Sequence, residues 1–593
     1  MPTLTGGQIL VEYLIKEGVP YVIGIPGHGD MGLFDAFKGR TEIKVLQARH
    51  EQSAAHIADG YFRVARKPLV VITSIGPGAV NTAMGVATAY VDSMAMVVIT
   101  GGAQTYMKGR GVLQEIERAH EDDFPSLMRP ITKESWAVEH VAHLPEVLHR
   151  AFNVATTGRP GPVHIQIAMD VQAMAADVEI PVPSQHRPFG RIGPDSDSIE
   201  RAVDVILSAK RPIILAGGGV IAARAAGSLM TFAEAIQSPV VTTMMGKGSF
   251  PEDHYLAAEH TGANGTLVGN HLSRNADLVI AIGARFAEQT SSSFVPGASF
   301  SIPPAKVIHV DIDSREIGKN YPTEVGIVAD AGSALEAMNA PLAGRGDGGR
   351  IVRPDYVAEI AEWKAKWHRA IEARWPTDVI STSLFIGQLR KFLDRDAITV
   401  VSAGHPQIQL FQEFPAYVPG ATLTSGGYSS MGFTIPAAIG AKLAEPHRQV
   451  VGIAGDGDFL MTVQELAVAV EHNIPVVYTV LNNSGWVSIR DFQRGMFGED
   501  RAMSVDFVHE DTGAEYRVDF QKIGEAFGCY SERIEHPRDI HGALERAFGS
   551  GRPAVLEVMV TRSPQYSGGI NNGHWDLPKP TYLESAKEPA AAG

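Results

Sequence analysis

Along the first 170 residues, short apolar runs with little polar alternation are separated by amphipathic stretches. Residues 69–73 and 95–100 are runs of this kind, the pattern of strands covered on both faces. Tyr21–Ile25 and residues 43–46 read as two further strands, the first stopped by Pro26-Gly27. Residues 5–17, closed by Gly18, and residues 50–64 read as helices. The pattern restarts with a helix near 198–209 and a strand over Pro212–Ala216 that runs into Gly217-Gly218-Gly219; strands near Val240, Leu278 and Val307 follow. It restarts again from residue 356, with apolar runs at Ile398–Val401, 450–454, 476–481 and 554–558. Strands alternating with helices predict α/β domains built on open, mainly parallel sheets. Three are expected, over 1–175, 196–342 and 356–562, followed by a C-terminal lid or tail over 563–593. The Pro-rich stretch 180–194 and the Gly- and Arg-rich loop 342–354 read as linkers.

Composition narrows the class. The 593 residues are 45% hydrophobic and 20% charged, enough apolar material for several cores. An excess of 66 acidic over 51 basic side chains gives a net charge of −15, which argues against nucleic-acid or anionic-membrane binding. The single cysteine, Cys529, rules out an internal disulfide framework and a Cys-rich metal site. No uncharged apolar run reaches ~18 residues, and the N-terminus has no secretory apolar core, so a cytoplasmic location is expected.

The third domain carries the most specific motif. Gly455-Asp456-Gly457 follows a buried strand, and Asn482-Asn483 ends the next one, with residues 458–481 between them. Both lie at carboxyl ends of strands, where open α/β sheets bind ligands. An Asp carboxylate and an Asn carbonyl are hard oxygen donors suited to Mg²⁺, and the glycines let the backbone approach phosphate. Two unrelated turns are the alternative; the pairing at this spacing speaks against it. Glu51 opens the helix after Arg49-His50.

On these motifs the chain resembles, from about residue 5 to 560, the thiamine-diphosphate-dependent enzymes of the acetolactate synthase, oxalyl-CoA decarboxylase and 2-hydroxyacyl-CoA lyase group. The resemblance implies thiamine diphosphate and Mg²⁺ as cofactors, with Asp456, Asn483 and the Gly485 carbonyl as metal ligands and Gly455 and Gly457 against the diphosphate. Gly404, His405 and Gln407 lie on the loop that approaches the diphosphate in this family. Residues 425–432, with Ser429 and Met431, resemble the segment that braces the folded cofactor. Glu51 is implied to hydrogen-bond N1′ of the aminopyrimidine. Gly76-Pro77-Gly78 through Asn81 matches the loop facing that ring. His28 is a candidate proton relay, with a loop histidine satisfied by backbone as the alternative. Leu113-Gln114-Glu115 resembles a Phe-Gln-Glu run of acetolactate synthases, which implies Gln114 near the reacting carbon.

In the middle domain, Arg159, Gly218, Arg285 and Asp311 fall on segments that resemble the family's nucleotide site. The run Phe286-Ala287-Glu288-Gln289 lacks the paired aspartates of the acetolactate synthase version, so ADP is expected rather than FAD. Gln493 is expected on a loop that closes over substrate, with a solvated loop position as the alternative; a neutral amide can orient substrate there but cannot relay protons. The resemblance further implies a homodimer as minimum unit, a homotetramer as the expected assembly, and an acyl-CoA substrate. The expected reaction is cleavage of a 2-hydroxyacyl-CoA, 2-hydroxyisobutyryl-CoA for example, to formyl-CoA and a ketone or aldehyde. The alternative is an acetolactate synthase-like 2-oxoacid carboligase. Trp575 and Leu577 mark where the tail can dock on protein, with a disordered tail as the alternative.

Overall fold

The structure, a computed structural model, describes residues 1–116, 123–343 and 351–584. Residues 585–593 of the expected tail, 344–350 of the second linker and 117–122 lie outside these.

Three six-stranded sheets carry the chain, and every strand pair within them is parallel. The N-terminal sheet runs, edge to edge, Lys44–Gln47, Tyr21–Ile25, Val70–Thr73, Val97–Gly102, Val163–Ala168, Ser135–Val138. The C-terminal sheet runs Thr422–Thr424, Ile398–Val401, Val450–Gly455, Val477–Asn482, Ala554–Met559, Tyr530–Ile534. Numbered within their own domains, both have the order 2-1-3-4-6-5. The central sheet differs: Ala257–His260, Val240–Thr242, Pro212–Ala216, Leu278–Ile282, Lys306–Asp311, Val325–Val328, an order of 3-2-1-4-5-6. That is the dinucleotide-fold order. A short antiparallel pair, Thr3–Thr5 with Ala175–Asp177, ties the start of the chain to the end of the first domain.

The expected strands fall within one or two residues of their apolar runs, because a strand buried on both faces has no polar register to blur its ends; Ser135–Val138, Val163–Ala168, Ala257–His260, Val325–Val328, Thr422–Thr424 and Tyr530–Ile534 were not expected. Gln493 departs from the expectation. It lies on a helix, Val487–Phe497, not on a loop; the run is free of proline, and its only internal glycine, Gly495, stands near its end. No helix among the described residues is long and apolar enough to cross a membrane.

The N- and C-terminal domains share one hydrophobic core, in which Ala54, Ala58 and Tyr61 pack with Ala437, Ala438 and Ala441. The contact is made by two helices, Glu51–Ala65 and Thr434–Ala444, that cross at glycines. A Cβ on Gly60 would lie 2.2 Å from the Ala437 carbonyl oxygen, and one on Gly440 would lie 2.0 Å from that of Ile57. Backbones this close leave no room for a methyl group. In an unpacked helix Gly→Ala gains about 1 kcal/mol; here Gly60→Ala is expected to lose about 1–3 kcal/mol through overpacking. A denaturant midpoint at or above wild type would show that the crossing has slack.

Candidate functional site

In all three sheets the motif loops leave adjacent strands whose connections run off in opposite directions, which opens a crevice at the carboxyl edge. In the C-terminal domain these strands are Ile398–Val401 and Val450–Gly455. The first continues through Ser402 and Gly404 into the helix His405–Glu413, with Gly404 at φ 83°. The second ends at Gly455-Asp456. Asp456 is buried. Its Oδ1 accepts the Gly457 N–H at 2.7 Å, and its Oδ2 accepts those of Asn483 at 3.0 Å and Gly485 at 3.2 Å. Burial pushes the carboxyl up from its ordinary value while these N–H groups pull it back. Two N–H bonds fill Oδ2, whereas Oδ1 keeps one lone pair for a cation.

Gly485 stands opposite Asp506 in a pair flanked by the bonds Trp486 N–H to Val505 O and Phe507 N–H to Ser484 O, so its own carbonyl lies outside that ladder. Among the described residues no trio of His, Cys, Asp and Glu is placed to hold a metal. A diphosphate-bound Mg²⁺ asks for a different set, one carboxylate and neutral oxygens, and Asp456, Asn483 and Gly485 fit it. Gly457 is required here because a Cβ would lie 2.1 Å from the Trp486 ring.

The neighbouring residues are placed as follows. His405 is held neutral, pushed down to about 4 by burial, with Asp491 pulling the other way. The Gln407 amide donates to Ser402 O and, at 2.7 Å, to Thr424 Oγ1. It therefore ties two strand ends together and does not face open space. Residues 425–432 lean on the N-terminal domain: Gly427 N–H donates to Asp92, and Thr88 Oγ1 donates to Ser430 at 3.0 Å. Gly432 N–H donates to the buried Asp458 at 2.6 Å. Ser429 has φ 56°, and Met431 is half-buried.

In the N-terminal domain, Glu51 is the first residue of its helix, capped by the His50 ring accepting the Gln52 N–H. Glu51 Oε2 accepts Asn81 Nδ2–H at 2.9 Å, which joins the helix to the Gly76-to-Asn81 turn. Gln114, at φ 69°, packs its backbone against Gly76. No hydrogen bond or ion pair among the described residues joins Glu51 to the Asp456 loops. His28 Nε2 is buried without a partner, and so is Asp30 Oδ2. Asp30 went unnoticed in the sequence. Its Oδ1 caps the Gly27 N–H at 2.7 Å, and burial pushes it up to about 7, with the nearby Glu51 charge adding to the rise.

Arg159 of the N-terminal domain and Gly218, Arg285 and Asp311 of the central domain line one cavity of about 650 Å³, which Gly426 and Gly427 of the C-terminal domain also border. Its floor is the crevice between Pro212–Ala216 and Leu278–Ile282. Arg159 also pairs with Glu316 at 2.9 Å.

The tail docks across two domains. Ser567 Oγ donates to Asp491 at 2.6 Å, and Ile570 exchanges hydrogen bonds with the Gln412 amide at 3.0 and 2.8 Å. Asn270 of the central domain donates to Asn572 O at 3.1 Å. Trp575 meets Phe492 edge-on at 5.2 Å.

Residues 4–122 match the N-terminal TPP binding domain of thiamine pyrophosphate enzymes, 199–338 their central domain, and 402–558 their C-terminal TPP binding domain. The chain belongs to the thiamine pyrophosphate enzymes. Relatives are similar over nearly their whole length. The probable acetolactate synthase large subunit of Methanocaldococcus jannaschii is 35% identical over 577 residues, 94% of this chain and 92% of its own. The acetolactate synthase large subunit of Corynebacterium glutamicum is 34% identical, over 96% and 89%. The isozyme 3 large subunit of Escherichia coli is 32% identical, over 97% and 98%.

In a thiamine pyrophosphate enzyme with this donor set, Asp456→Ala is expected to lose Mg²⁺-dependent cofactor binding, because the one charged ligand is gone. Calorimetric titration with thiamine diphosphate and Mg²⁺ checks this, and wild-type affinity would refute it. Asp30 gives a pH signature. Its folded-state value near 7 lies above the ordinary 3.8, so burying its charge costs nothing below pH ~4 and the full penalty above pH ~7. Asp30→Asn keeps the Gly27 cap and removes the charge. Its melting temperature relative to wild type is expected to be unchanged at pH 4 and higher by a few degrees at pH 8. A difference that does not vary with pH would mean Asp30 ionises normally.

Proposed function

We propose that this thiamine pyrophosphate enzyme is a carbon–carbon lyase that cleaves a short 2-hydroxyacyl-CoA to formyl-CoA and a ketone or aldehyde. The observation that carries this reading is the docked tail. Residues 567–575 pack on the helix His405–Glu413, through Gln412, and on Asp491 and Phe492 in the middle of Val487–Phe497; in the acyl-CoA branch C-terminal segments close over the thioester. When bound, thiamine diphosphate supplies a carbanion that adds to a carbonyl and then holds the charge left when the adjacent carbon–carbon bond breaks. Asp456, Asn483 and the Gly485 carbonyl hold its Mg²⁺. Glu51 holds a proton at N1′ of the aminopyrimidine, with Asn81 orienting the carboxylate. Residues 425–432, Met431 among them, would brace the cofactor. His28, whose Nε2 has no protein partner, takes the proton of the substrate 2-hydroxyl. Gln493 Oε1 accepts the Met503 N–H at 2.9 Å, so its part is to fix the helix beside the substrate. The central cavity, rimmed by Arg159 and Arg285, takes ADP. The two halves of the cofactor site come from two copies of the chain, which makes a dimer the smallest active unit.

A second reading is a 2-oxoacid carboligase. The names of the relatives favour it over the lyase, since those quoted are acetolactate synthase large subunits. One experiment separates the two. The protein, loaded with thiamine diphosphate and Mg²⁺, is incubated with 2-hydroxyisobutyryl-CoA and, separately, with pyruvate, and products are identified by mass spectrometry. Formyl-CoA and acetone from the first, with no acetolactate from the second, are expected. Acetolactate from pyruvate with the thioester left intact would replace the lyase by the carboligase.

A further inference from the structure

The C-terminal end of the helix Ala83–Asp92 faces two sites at once. On one side its main chain is held by arginines of the central cavity. Arg285 Nη1 donates to Val91 O at 2.9 Å. Arg159 donates to the same carbonyl at 3.4 Å and, through Nε, to Ser93 Oγ at 2.8 Å. On the other side the fully buried Asp92 side chain reaches the C-terminal domain. Its Oδ1 accepts the Gly427 N–H at 2.8 Å. Its Oδ2 accepts Arg63 Nη2–H at 2.9 Å, and Arg63 Nη1 donates to Thr424 O at 2.7 Å. Asp92 and Arg63 thus fix the start of the segment that goes on to Ser429 and Met431. A Cβ on Gly427 would lie 2.5 Å from Asp92 Oδ1 and 3.3 Å from Arg285 Nη2, so Arg285 stands beside the bond that joins Gly427 to Asp92.

We propose that Asp92 is a positioning residue through which a nucleotide in the central cavity strengthens the hold of residues 425–431 on thiamine diphosphate. This rests on the reading of that cavity as a nucleotide site and of that segment as the cofactor brace. A phosphate-bearing ligand fixes the guanidinium groups of Arg159 and Arg285, and with them the main chain on both sides of Asp92. Both Asp92 oxygens are committed to groups outside its own helix, so order at Val91–Ser93 is order at Gly427. The second ligand then meets a segment already held, and its ordering cost is smaller. Coupling between two binding sites is reciprocal.

The test uses the full-length protein freed of cofactors by dialysis against chelator. Calorimetric titrations measure thiamine diphosphate–Mg²⁺ binding with and without saturating ADP, and ADP binding with and without thiamine diphosphate–Mg²⁺. In the wild type each ligand is expected to tighten the other by the same factor, about fivefold or more. Asp92→Ala, in which Arg63 keeps Asp59 as its buried partner, is expected to bind both ligands with a factor close to one. Asp92→Asn, which keeps the acceptor for Gly427, is expected to retain most of the coupling. Hydrogen exchange of the wild type adds a measurement that needs no variant: ADP alone should slow exchange at residues 425–431. ADP binding with no coupling in the wild type, unchanged coupling in Asp92→Ala, or no protection of 425–431 by bound ADP would each overturn the proposal. If neither ADP nor FAD binds at all, it is the nucleotide reading of the cavity that fails, and the proposal falls with it.

Discussion

The reversal of strand order inside each parallel sheet is the constraint on which the rest depends. A helix crossing from one parallel strand to the next must lie on a face of the sheet. Where the order changes sense, the two helices that leave neighbouring strands go to opposite faces, and the carboxyl edge between them is left open. Most of the glycine-bearing motif loops of this chain sit on such an edge. Gly27-His28-Gly29-Asp30 and Ser74 to Gly78 flank the N-terminal gap. Gly404-His405 and Gly455-Asp456 flank the C-terminal one. Gly217 to Gly219 and Gly283 to Arg285 flank the central one. The loops place main-chain N–H groups and short side chains at the rim, and the sheets behind them supply rigidity.

The second dependence is electrostatic. Arg63, Asp59 and Asp92 form a buried ionic cluster between the N- and C-terminal domains, and buried charges persist only when every partner is in place. The cluster therefore acts on geometry more than on stability. It fixes how residues 425–432 of one domain sit on the helices of another, at the wall of a cavity that all three domains line.

Much of this was legible in the sequence, for an identifiable reason. A strand buried on both faces reads as a bounded apolar run, so Tyr21–Ile25, Pro212–Ala216 and Ile398–Val401 stand where they were expected. The Asp456 and Asn483 pair was legible because strand-end loops carry few residues and each one counts. Gln493 was misplaced because a helix that presents a polar face beside a site has the same composition as a loop. The Gln407 amide turned inward to join two strands, which no local pattern encodes. Asp30 and Asp92 were missed because their significance lies in what faces them. An aspartate three residues past a turn glycine becomes unusual only when burial withholds water from one oxygen, and one at a helix end only when a glycine N–H from 335 residues away meets it.

The crossing of the helices Glu51–Ala65 and Thr434–Ala444 has a further meaning. Gly60 receives the backbone at Ala437, and Gly440 receives the backbone at Ile57, so the two contacts are related by exchange of the helices. The domains that carry them share one strand order. A surface that meets its own equivalent in this way has the isologous form of a twofold subunit interface. The chain thus holds within itself the association geometry of a twofold pair of like domains. Substitutions at one glycine of the crossing are constrained by the other, as they would be in a symmetric pair encoded by one copy.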